Sequence, residues 1–315
     1  MWRGNQLPAK LQGSAGPGKP SQTDDFTSSN SFVESALHRK LTAIADKLDG
    51  DAIAIISPMR TPVDDFIRDA VEAIPDKKSR LLVVLETDGG SIEVVERIAD
   101  VLRHHYPDEV SFIVPNYAMS AGTVLVMCGD RIYMDYYSIL GPIDPQVKSR
   151  TKADVFVPAL GYLAKYQQLI DKSAAGTLTA AEAMFLTEKF DPAELHQFEE
   201  ARDLSIDLLK KWLVRYKFKN WTVTRTNGNP VTAQMKEDRA AEIAASLNET
   251  KRWKSHSRGL SMHVIEGDLN LQVDDISAYE EILKCVRSYY RLLQDHMLRS
   301  RHTLVIHTNN NYLGL

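Results

Sequence analysis

The chain has 315 residues, of which 43% are hydrophobic and 25% charged, as in an ordinary globular protein. Its formal net charge of −4 does not favour a protein that binds nucleic acid as a whole. Its two cysteines, Cys128 and Cys285, are too few and too far apart for a disulfide framework or a zinc cluster. Cys128 lies in the apolar run VLVMCG and is predicted to be a buried small hydrophobe.

The N-terminal part of the chain has a different composition from the rest. Residues 1–31 are rich in Gly, Pro, Ser and Gln and lack an apolar stretch, which predicts a disordered leader and not a signal peptide. Residues 32–315 are expected to form one domain. No segment reaches the roughly 18 consecutive apolar residues needed to span a bilayer. We therefore expect a cytoplasmic protein, with any membrane association made through partners.

Strands and helices alternate in the first half of the folded part. This alternation predicts parallel strands joined by right-handed crossovers, in an α/β sheet with helices on its faces. The predicted elements are a helix at 34–49, a strand at 52–57, a helix at 62–73, a strand at 81–87, a helix at 91–104, a strand at 110–115, a short apolar helix at 119–128 and short strands within 131–140.

The second half is predicted to be mostly helical. From about residue 150 the apolar spacing is that of helices, so a helical extension follows the sheet. The predicted elements are helices at 155–172, 179–188, 191–217, 234–247 and 277–298, a loop at 220–232 and a short strand at 269–273.

Two glycines directly follow a strand predicted to be buried. The run Asp88-Gly89-Gly90-Ser91 connects LLVVLET to the next helix. Glycines at such a turn allow backbone conformations closed to other residues and leave N–H groups available to a ligand oxygen. A plain tight turn explains them equally well, and the third glycine of a dinucleotide-binding fingerprint is absent.

Ser120 begins a short apolar helix after the next strand, among the small residues of the run NYAMSAGT. Its hydroxyl could serve as a nucleophile, and the N–H of Ala121 lies next to it in the chain. On this segment alone an ordinary helix N-cap is the more common role. Because the carboxyl ends of parallel strands meet at one edge of a sheet, the glycine pair and Ser120 are expected to lie together there.

Three motifs carry a family resemblance: the strand followed by Asp88-Gly89-Gly90, the run VPNYAMSAGT, and the run GPIDPQ at 141–146. In this order they resemble the serine dehydrogenase proteinase family, which is similar to signal peptide peptidase A, the NfeD-type peptidases and ClpP. The resemblance covers about 80–273, loosely towards its end. It implies an α/β fold of the ClpP/crotonase-like type, a spiral of ββα units, which commonly forms homo-oligomeric rings or stacks.

The resemblance also implies an activity and site residues. The activity is that of a serine peptidase acting on a protein or peptide through an acyl-enzyme. Ser120 would be the nucleophile, and the amides of Gly89, Gly90 and Ala121 would form the oxyanion hole. No cofactor is implied, and the sequence has no metal-ligand spacing and no phosphate-binding loop.

The general base is less well defined by the sequence. ClpP-like enzymes have a histidine shortly after the serine, but residues 138–144 contain none. Lys172 lies 52 residues after Ser120, ahead of Thr179 and Glu182, in a setting similar to that of the lysine in signal peptide peptidase A. We therefore expect Lys172 to be the base, although an exposed lysine at a helix end would have the same local sequence.

Other base candidates and other functions remain open. Lys165 is a second lysine candidate, His256 is a competing base in a predicted loop, and Asp144 either orients a base or caps the turn at Pro142 and Pro145. The alternatives to a peptidase are a non-catalytic scaffold of the same fold and a crotonase-type enzyme that acts on acyl thioesters.

Overall fold

The computed structural model describes residues 28–143, 146–148, 156–224, 226–253 and 258–315. Its helices are α1 (Ser29–Lys47), α2 (Val63–Glu72), α3 (Ile92–His105), α4 (Ala121–Val126), α5 (Ala159–Ala174), α6 (Ala180–Lys189), α7 (Pro192–Trp212), α8 (Ala233–Leu247), α9 (Thr250–Trp253), α10 (Met262–Asp268) and α11 (Glu280–Ser300). A π-helical turn, Leu213–Lys217, follows α7, and a 3-10 turn, Ile276–Ala278, precedes α11.

The strands form one large sheet and two small ones. They are β1 (Asp51–Ile56), β2 (Arg80–Glu86), β3 (Glu109–Ile113), β4 (Tyr117–Ala118), β5 (Arg131–Met134), β6 (Ile139–Leu140), β7 (Gln146–Lys148), β8 (Phe156–Pro158), β9 (Leu260–Ser261), β10 (Asp274–Asp275), β11 (Val305–Thr308) and β12 (Tyr312–Gly314). The large sheet has seven strands in the order β10-β5-β3-β2-β1-β11-β12.

The strands from β10 to β1 are parallel, so their carboxyl ends lie at one edge. At that edge Ile56 of β1 is opposite Glu86 of β2, and Val84 of β2 is opposite Ile113 of β3. β11 runs antiparallel to β1, and β12 antiparallel to β11. The small sheet of β4, β6 and β9 continues the chain beyond the edge where the parallel strands end.

The large sheet is covered on both faces, which explains its continuous apolar runs. Leu81, Val83 and Leu85 of β2 belong to a core cluster that includes residues of α2, α3 and α4. Leu82 and Val84 belong to a second cluster, with residues of α1 and α11. These five side chains are fully buried, and each such Leu or Val contributes about 1.5–3 kcal/mol relative to an exposed one.

The predicted alternation of strands and helices is confirmed, with boundaries that differ by a few residues. The largest difference at the start is α1, which begins at Ser29, where the Ser28 side chain accepts a hydrogen bond from the Ser31 amide at 3.1 Å. Residues 1–27, which hold most of the predicted leader, lie outside the described residues. The predicted burial of Cys128 is also confirmed.

The strand predicted at 269–273 is wrong. Leu269, Leu271 and Val273 are buried in alternation, as a strand pattern requires, but this segment pairs with no strand among the described residues. Pairing starts one residue later, where β10 meets β5. The sequence analysis also missed β11 and β12, which extend the sheet beyond β1.

The predicted helical C-terminal region is confirmed. α7 and α8 bury leucines and alanines against the first core cluster, whereas α6 buries none of its side chains. None of the described helices is both long and apolar enough to cross a bilayer.

Candidate active site

Ser120 lies at the junction between β4 and α4 and is fully buried in the isolated chain. Its backbone has φ 53° and ψ −119°, in a region that costs a non-glycine residue of order 1–3 kcal/mol. Its side chain makes no capping hydrogen bond to the α4 amides within the described structure. An ordinary N-cap role therefore does not account for the conformation of Ser120.

The glycine pair after β2 packs directly against this serine. Gly89 has φ 93°, and a β-carbon on it would lie 2.9 Å from Cβ of Ser120 and 3.1 Å from the Ala121 nitrogen. Gly90 has φ 152°, and a β-carbon there would lie 2.2 Å from the Met59 carbonyl oxygen. Neither position has room for a side chain. The glycine loop, Asp88–Ser91, therefore packs against Ser120, as the sequence predicts.

The two glycine amides differ in their hydrogen bonds. The Gly89 N–H donates to Oγ1 of Thr87 at 3.0 Å, so it is already used within the turn. Met59 flanks the turn, since its amide donates to the Gly89 carbonyl and its carbonyl accepts from Ser91, both at 2.8 Å. In the described part of the chain no hydrogen bond uses the N–H of Gly90 or of Ala121. Of the three amides predicted to form the oxyanion hole, those of Gly90 and Ala121 therefore remain for a ligand oxygen.

The backbone joins the glycine loop to the segment that carries Ser120. The Thr87 amide donates to the Tyr117 carbonyl at 3.2 Å, and the Met119 amide donates to the Thr87 carbonyl at 2.9 Å. Gly122 faces the same threonine so closely that a β-carbon would lie 2.3 Å from the Thr87 methyl group. These contacts explain why small residues follow the serine.

Thr123 anchors the first turn of α4. Its hydroxyl oxygen lies 2.8 Å from the Ala118 carbonyl oxygen and 2.9 Å from that of Gly141, and it accepts a hydrogen bond from the Gly141 amide at 3.0 Å. Gly141 in turn packs against Met119, because a β-carbon there would lie 2.9 Å from the Met119 methyl carbon. The SAGT motif, through Thr123, and the GP motif, through Gly141, thus contact each other directly.

A polar cluster around the buried Glu86, which the sequence analysis missed, lies beside the glycine loop. Glu86, at the end of β2, accepts hydrogen bonds from the hydroxyl of Tyr290 and from the amide of Gln294, the latter at 3.0 Å. The side-chain amide of Asn116 donates to the Tyr290 hydroxyl at 3.1 Å. Glu86 ends β2 directly after five apolar residues, and this was the signal in the sequence that could have indicated the cluster.

Burial perturbs the titration of this cluster. Desolvation raises the pKa of Glu86, and the hydrogen bonds from Tyr290, Asn116 and Gln294 oppose that shift. Burial, together with the charges of Glu86 and Asp88, raises the pKa of Tyr117 to about 12. Tyr117 therefore stays protonated at neutral pH.

The proposed bases on α5 contact other partners in the isolated chain. Nζ of Lys172 lies 2.5 Å from Oε1 of Glu182, and 39% of the lysine side chain is exposed. The hydrogen bond from Lys172, followed by that from the Thr179 amide, lowers the pKa of Glu182 to about 2. Lys165 is exposed and donates to Gln168 at 3.0 Å. The hydrogen bonds described for these two lysines do not reach Ser120.

Asp144 and His256, the other candidates for a base or an orienting group, lie outside the described residues. No three His, Cys, Asp or Glu side chains among the described residues are grouped so that they could hold a metal ion.

Comparison with known families identifies the central part of the chain. Residues 53–173 match the sequence model of the ClpP-like SDH-type serine proteinases. This match contains the strand, the glycine loop, Ser120 and the GPIDPQ run, and it confirms the resemblance predicted from these motifs and the predicted fold class.

Two curated relatives are uncharacterized proteins of Methanocaldococcus jannaschii. One is 41% identical over 78 residues, which are 25% of this chain and 27% of the relative. The other is 29% identical over 108 residues, 34% of this chain and 36% of the relative. The chain thus spans about a quarter to a third of the length of these relatives.

Two solved structures are also similar. A membrane-bound stomatin-specific protease is 18% identical, with a TM-score of 0.29 over 58% of this chain and 90% of that protein. ClpP1 from Listeria monocytogenes is 12% identical, with a TM-score of 0.27 over 49% of this chain and 91% of that protein.

Proposed function

We propose that this chain, whose residues 53–173 match the sequence model of the ClpP-like SDH-type serine proteinases, is a serine peptidase with Ser120 as its nucleophile. One observation carries the proposal. Ser120 is held at positive φ against Gly89, and among the described residues no hydrogen bond uses the backbone amides of Gly90, next to Gly89, and of Ala121, next to Ser120. A serine next to two such amides can both attack a carbonyl and stabilise the oxyanion that forms.

The reaction follows from these groups. Oγ of Ser120 bonds to the scissile carbonyl carbon while its proton passes to a general base, and the carbonyl oxygen becomes an oxyanion. The amides of Gly90 and Ala121 donate to that oxyanion, and each donor of this kind is worth about 2.7–4 kcal/mol. The C–N bond then breaks, the amine leaves with the proton from the base, and water hydrolyses the ester on Ser120 by the same steps.

Lys172 is the base that we propose, and it can act only after it leaves Glu182. A lysine base must be neutral, and the pairing with a carboxylate stabilises its ammonium form. A shift of α5 and α6 that separates the pair and buries Lys172 would supply the neutral amine. Lys165 and His256 are the alternatives if Lys172 is dispensable.

We further propose that the substrate is a peptide or protein, that the chain acts as a homo-oligomer, and that it works in the cytoplasm. The match to the proteinase family supports the first two proposals. The third rests on the two separated free cysteines, which fit a reducing compartment.

The test is covalent labelling with a fluorophosphonate, followed by mapping of the labelled peptide. Labelling of the wild type at Ser120 that is lost in Ser120→Ala supports the peptidase. Ser111→Ala is the matched control, because Ser111 is also fully buried but its hydroxyl donates to Glu109 at 2.9 Å, away from the glycine loop. A folded wild type that is not labelled at Ser120 would contradict the proposal, and hydrolysis of acyl thioesters by Ser120→Ala would favour the crotonase-type alternative.

A further inference from the structure

One hydroxyl group connects the two segments that form the proposed site. The hydroxyl of Tyr290, on α11, donates to Oε2 of Glu86 and accepts from the side-chain amide of Asn116 at 3.1 Å. Glu86 lies three residues before Gly89, and Asn116 lies four residues before Ser120. Tyr290 therefore contacts both segments just before each one enters the site.

The acceptor of the bridge, Glu86, is buried, and both of its carboxylate oxygens accept hydrogen bonds. Glu86 is 7% exposed, and its second carboxylate oxygen accepts from Gln294, one turn further along α11, at 3.0 Å. Loss of the Tyr290 hydroxyl would leave a carboxylate oxygen of the buried Glu86 without this donor and the Asn116 amide without this acceptor. The two segments would then be free to adjust their spacing.

The helix that carries Tyr290, α11, is held in place by the core and can therefore set the spacing between Glu86 and Asn116. α11 packs against α1, and Val286, Leu293 and Met297 are buried in the core cluster beneath the sheet. A tyrosine on such a helix holds its hydroxyl at a set position relative to β2. Backbone hydrogen bonds such as that from Thr87 to Tyr117 set the register of the two segments, and the side-chain bridge adds a constraint from a third element.

We propose that Tyr290 is a positioning residue, which holds Glu86 and Asn116 at the spacing that aligns the amides of Gly90 and Ala121 with Ser120. This inference rests on the proposed peptidase function, because the alignment matters for attack by the serine. The described hydrogen bonds of the Tyr290 hydroxyl go to Glu86 and Asn116 and not to Ser120, so we expect it to act through these two residues. Its effect therefore falls on the rate of the chemical step and not on binding of the reagent.

Saturation kinetics of fluorophosphonate labelling test the inference in Tyr290→Phe. We expect the maximal labelling rate to fall about 10- to 100-fold, as is typical of a misaligned site, and the half-saturating reagent concentration to stay within about twofold. Tyr289→Phe is the matched control, because it removes the same group from the next residue of α11, where the hydroxyl contacts Nδ1 of His307 at 2.7 Å. A wild-type maximal rate in Tyr290→Phe, or an equal loss in both variants, would overturn the inference.

Asn116→Ala is a second variant in case Tyr290→Phe folds poorly. Asn116 is half-buried, and its loss leaves the bonds from Tyr290 and Gln294 to Glu86 in place, so a smaller fall in the maximal rate is expected. A wild-type rate in Asn116→Ala would mean that the bridge does not position this segment.

Hydrogen exchange separates failure of this inference from failure of the proposed function. If the wild type is not labelled at Ser120, the peptidase proposal fails, but the bridge can still be measured. Faster amide exchange over both 86–91 and 116–121 in Tyr290→Phe, but not in Tyr289→Phe, would support the bridge. Unchanged exchange in both segments would overturn it.

Discussion

Gly89 lies so close to Ser120 that a β-carbon on the glycine would be 2.9 Å from Cβ of the serine. The positive φ of Gly89 would strain any other residue as well. We therefore expect Gly89→Ala to displace Ser120 and to reduce fluorophosphonate labelling at least about 100-fold, because both conformation and space are lost. The measurement is the labelling rate of the folded variant.

Gly161→Ala is the control for this substitution. Gly161 lies in α5, and no atom outside its own helix and its chain neighbours lies within 4 Å of a β-carbon built there. Its labelling rate should equal that of the wild type. A Gly89→Ala variant that is labelled as fast as Gly161→Ala would mean that the close approach has no role in the site.

Substitutions of Lys172 and of its partner Glu182 are expected to change the labelling rate in opposite directions. If Lys172 is the base, Lys172→Ala should abolish labelling. Glu182→Gln should instead increase the labelling rate near neutral pH, because it removes the carboxylate that pairs with Lys172 and keeps it from acting as a base. The measurement is the labelling rate as a function of pH in both variants.

Lys189→Ala, at the end of α6, is a control for the loss of a lysine from the same helical region. Labelling of Lys172→Ala at the wild-type rate would exclude this lysine as the base. Lys165→Ala and His256→Ala would then identify which of the remaining candidates is required.

Thr123 is predicted to stabilise the fold through the contact between α4 and Gly141. Thr123→Val keeps the shape of the side chain but removes the oxygen, so the Gly141 amide loses its buried acceptor. We expect the free energy of unfolding to fall by about 1–3 kcal/mol in urea denaturation. Thr123→Ser retains the hydroxyl, so its free energy of unfolding should fall less than that of Thr123→Val. An equal fall in both variants would contradict a role for this hydrogen bond.

His307 is predicted to make stability depend on pH. Burial, and secondarily His38, lowers its pKa to about 3, whereas in the unfolded chain the pKa is about 6.5. The folded state therefore binds fewer protons than the unfolded state between these two values. This contribution to stability is complete above about pH 6.5 and is lost progressively as the pH falls towards 3, which amounts to about 2 kcal/mol at pH 5.

Urea denaturation at pH 7 and pH 5 measures this loss. His307→Gln should be less stable than the wild type at pH 7 but should lose less stability on acidification. His196→Gln is the control, because 70% of the His196 side chain is exposed. A wild type with equal stability at the two pH values would show that His307 does not control the acid response.

Much of the fold follows from local patterns. The continuous apolar run of β2 indicates a strand that is buried on both faces, and the alternation of strands with helices indicates parallel pairing. The alternating apolar pattern at 269–273 gave a wrong prediction, because such a pattern indicates burial of one side of a segment and not the presence of a pairing strand. β11 was missed because it pairs with β1, about 250 residues earlier in the chain, and β12 was missed with it because β12 pairs with β11.

The sequence by itself determined that the glycine pair and Ser120 meet at one edge of the sheet, because parallel strands place their carboxyl ends together whatever surrounds them. Only the tertiary structure decided that the Gly89 amide donates to the Thr87 hydroxyl, because this bond depends on a side-chain rotamer that no sequence pattern encodes. The Gly90 amide is therefore the one of the pair that is open to a ligand oxygen. Only the tertiary structure brought Tyr290 to Glu86, 204 residues away, and Glu182 to Lys172. The alternation of buried strands with helices follows from local apolar periodicity, whereas the pairing of β11 with β1 and the pairing of polar groups depend on the packing of elements that are distant in the chain.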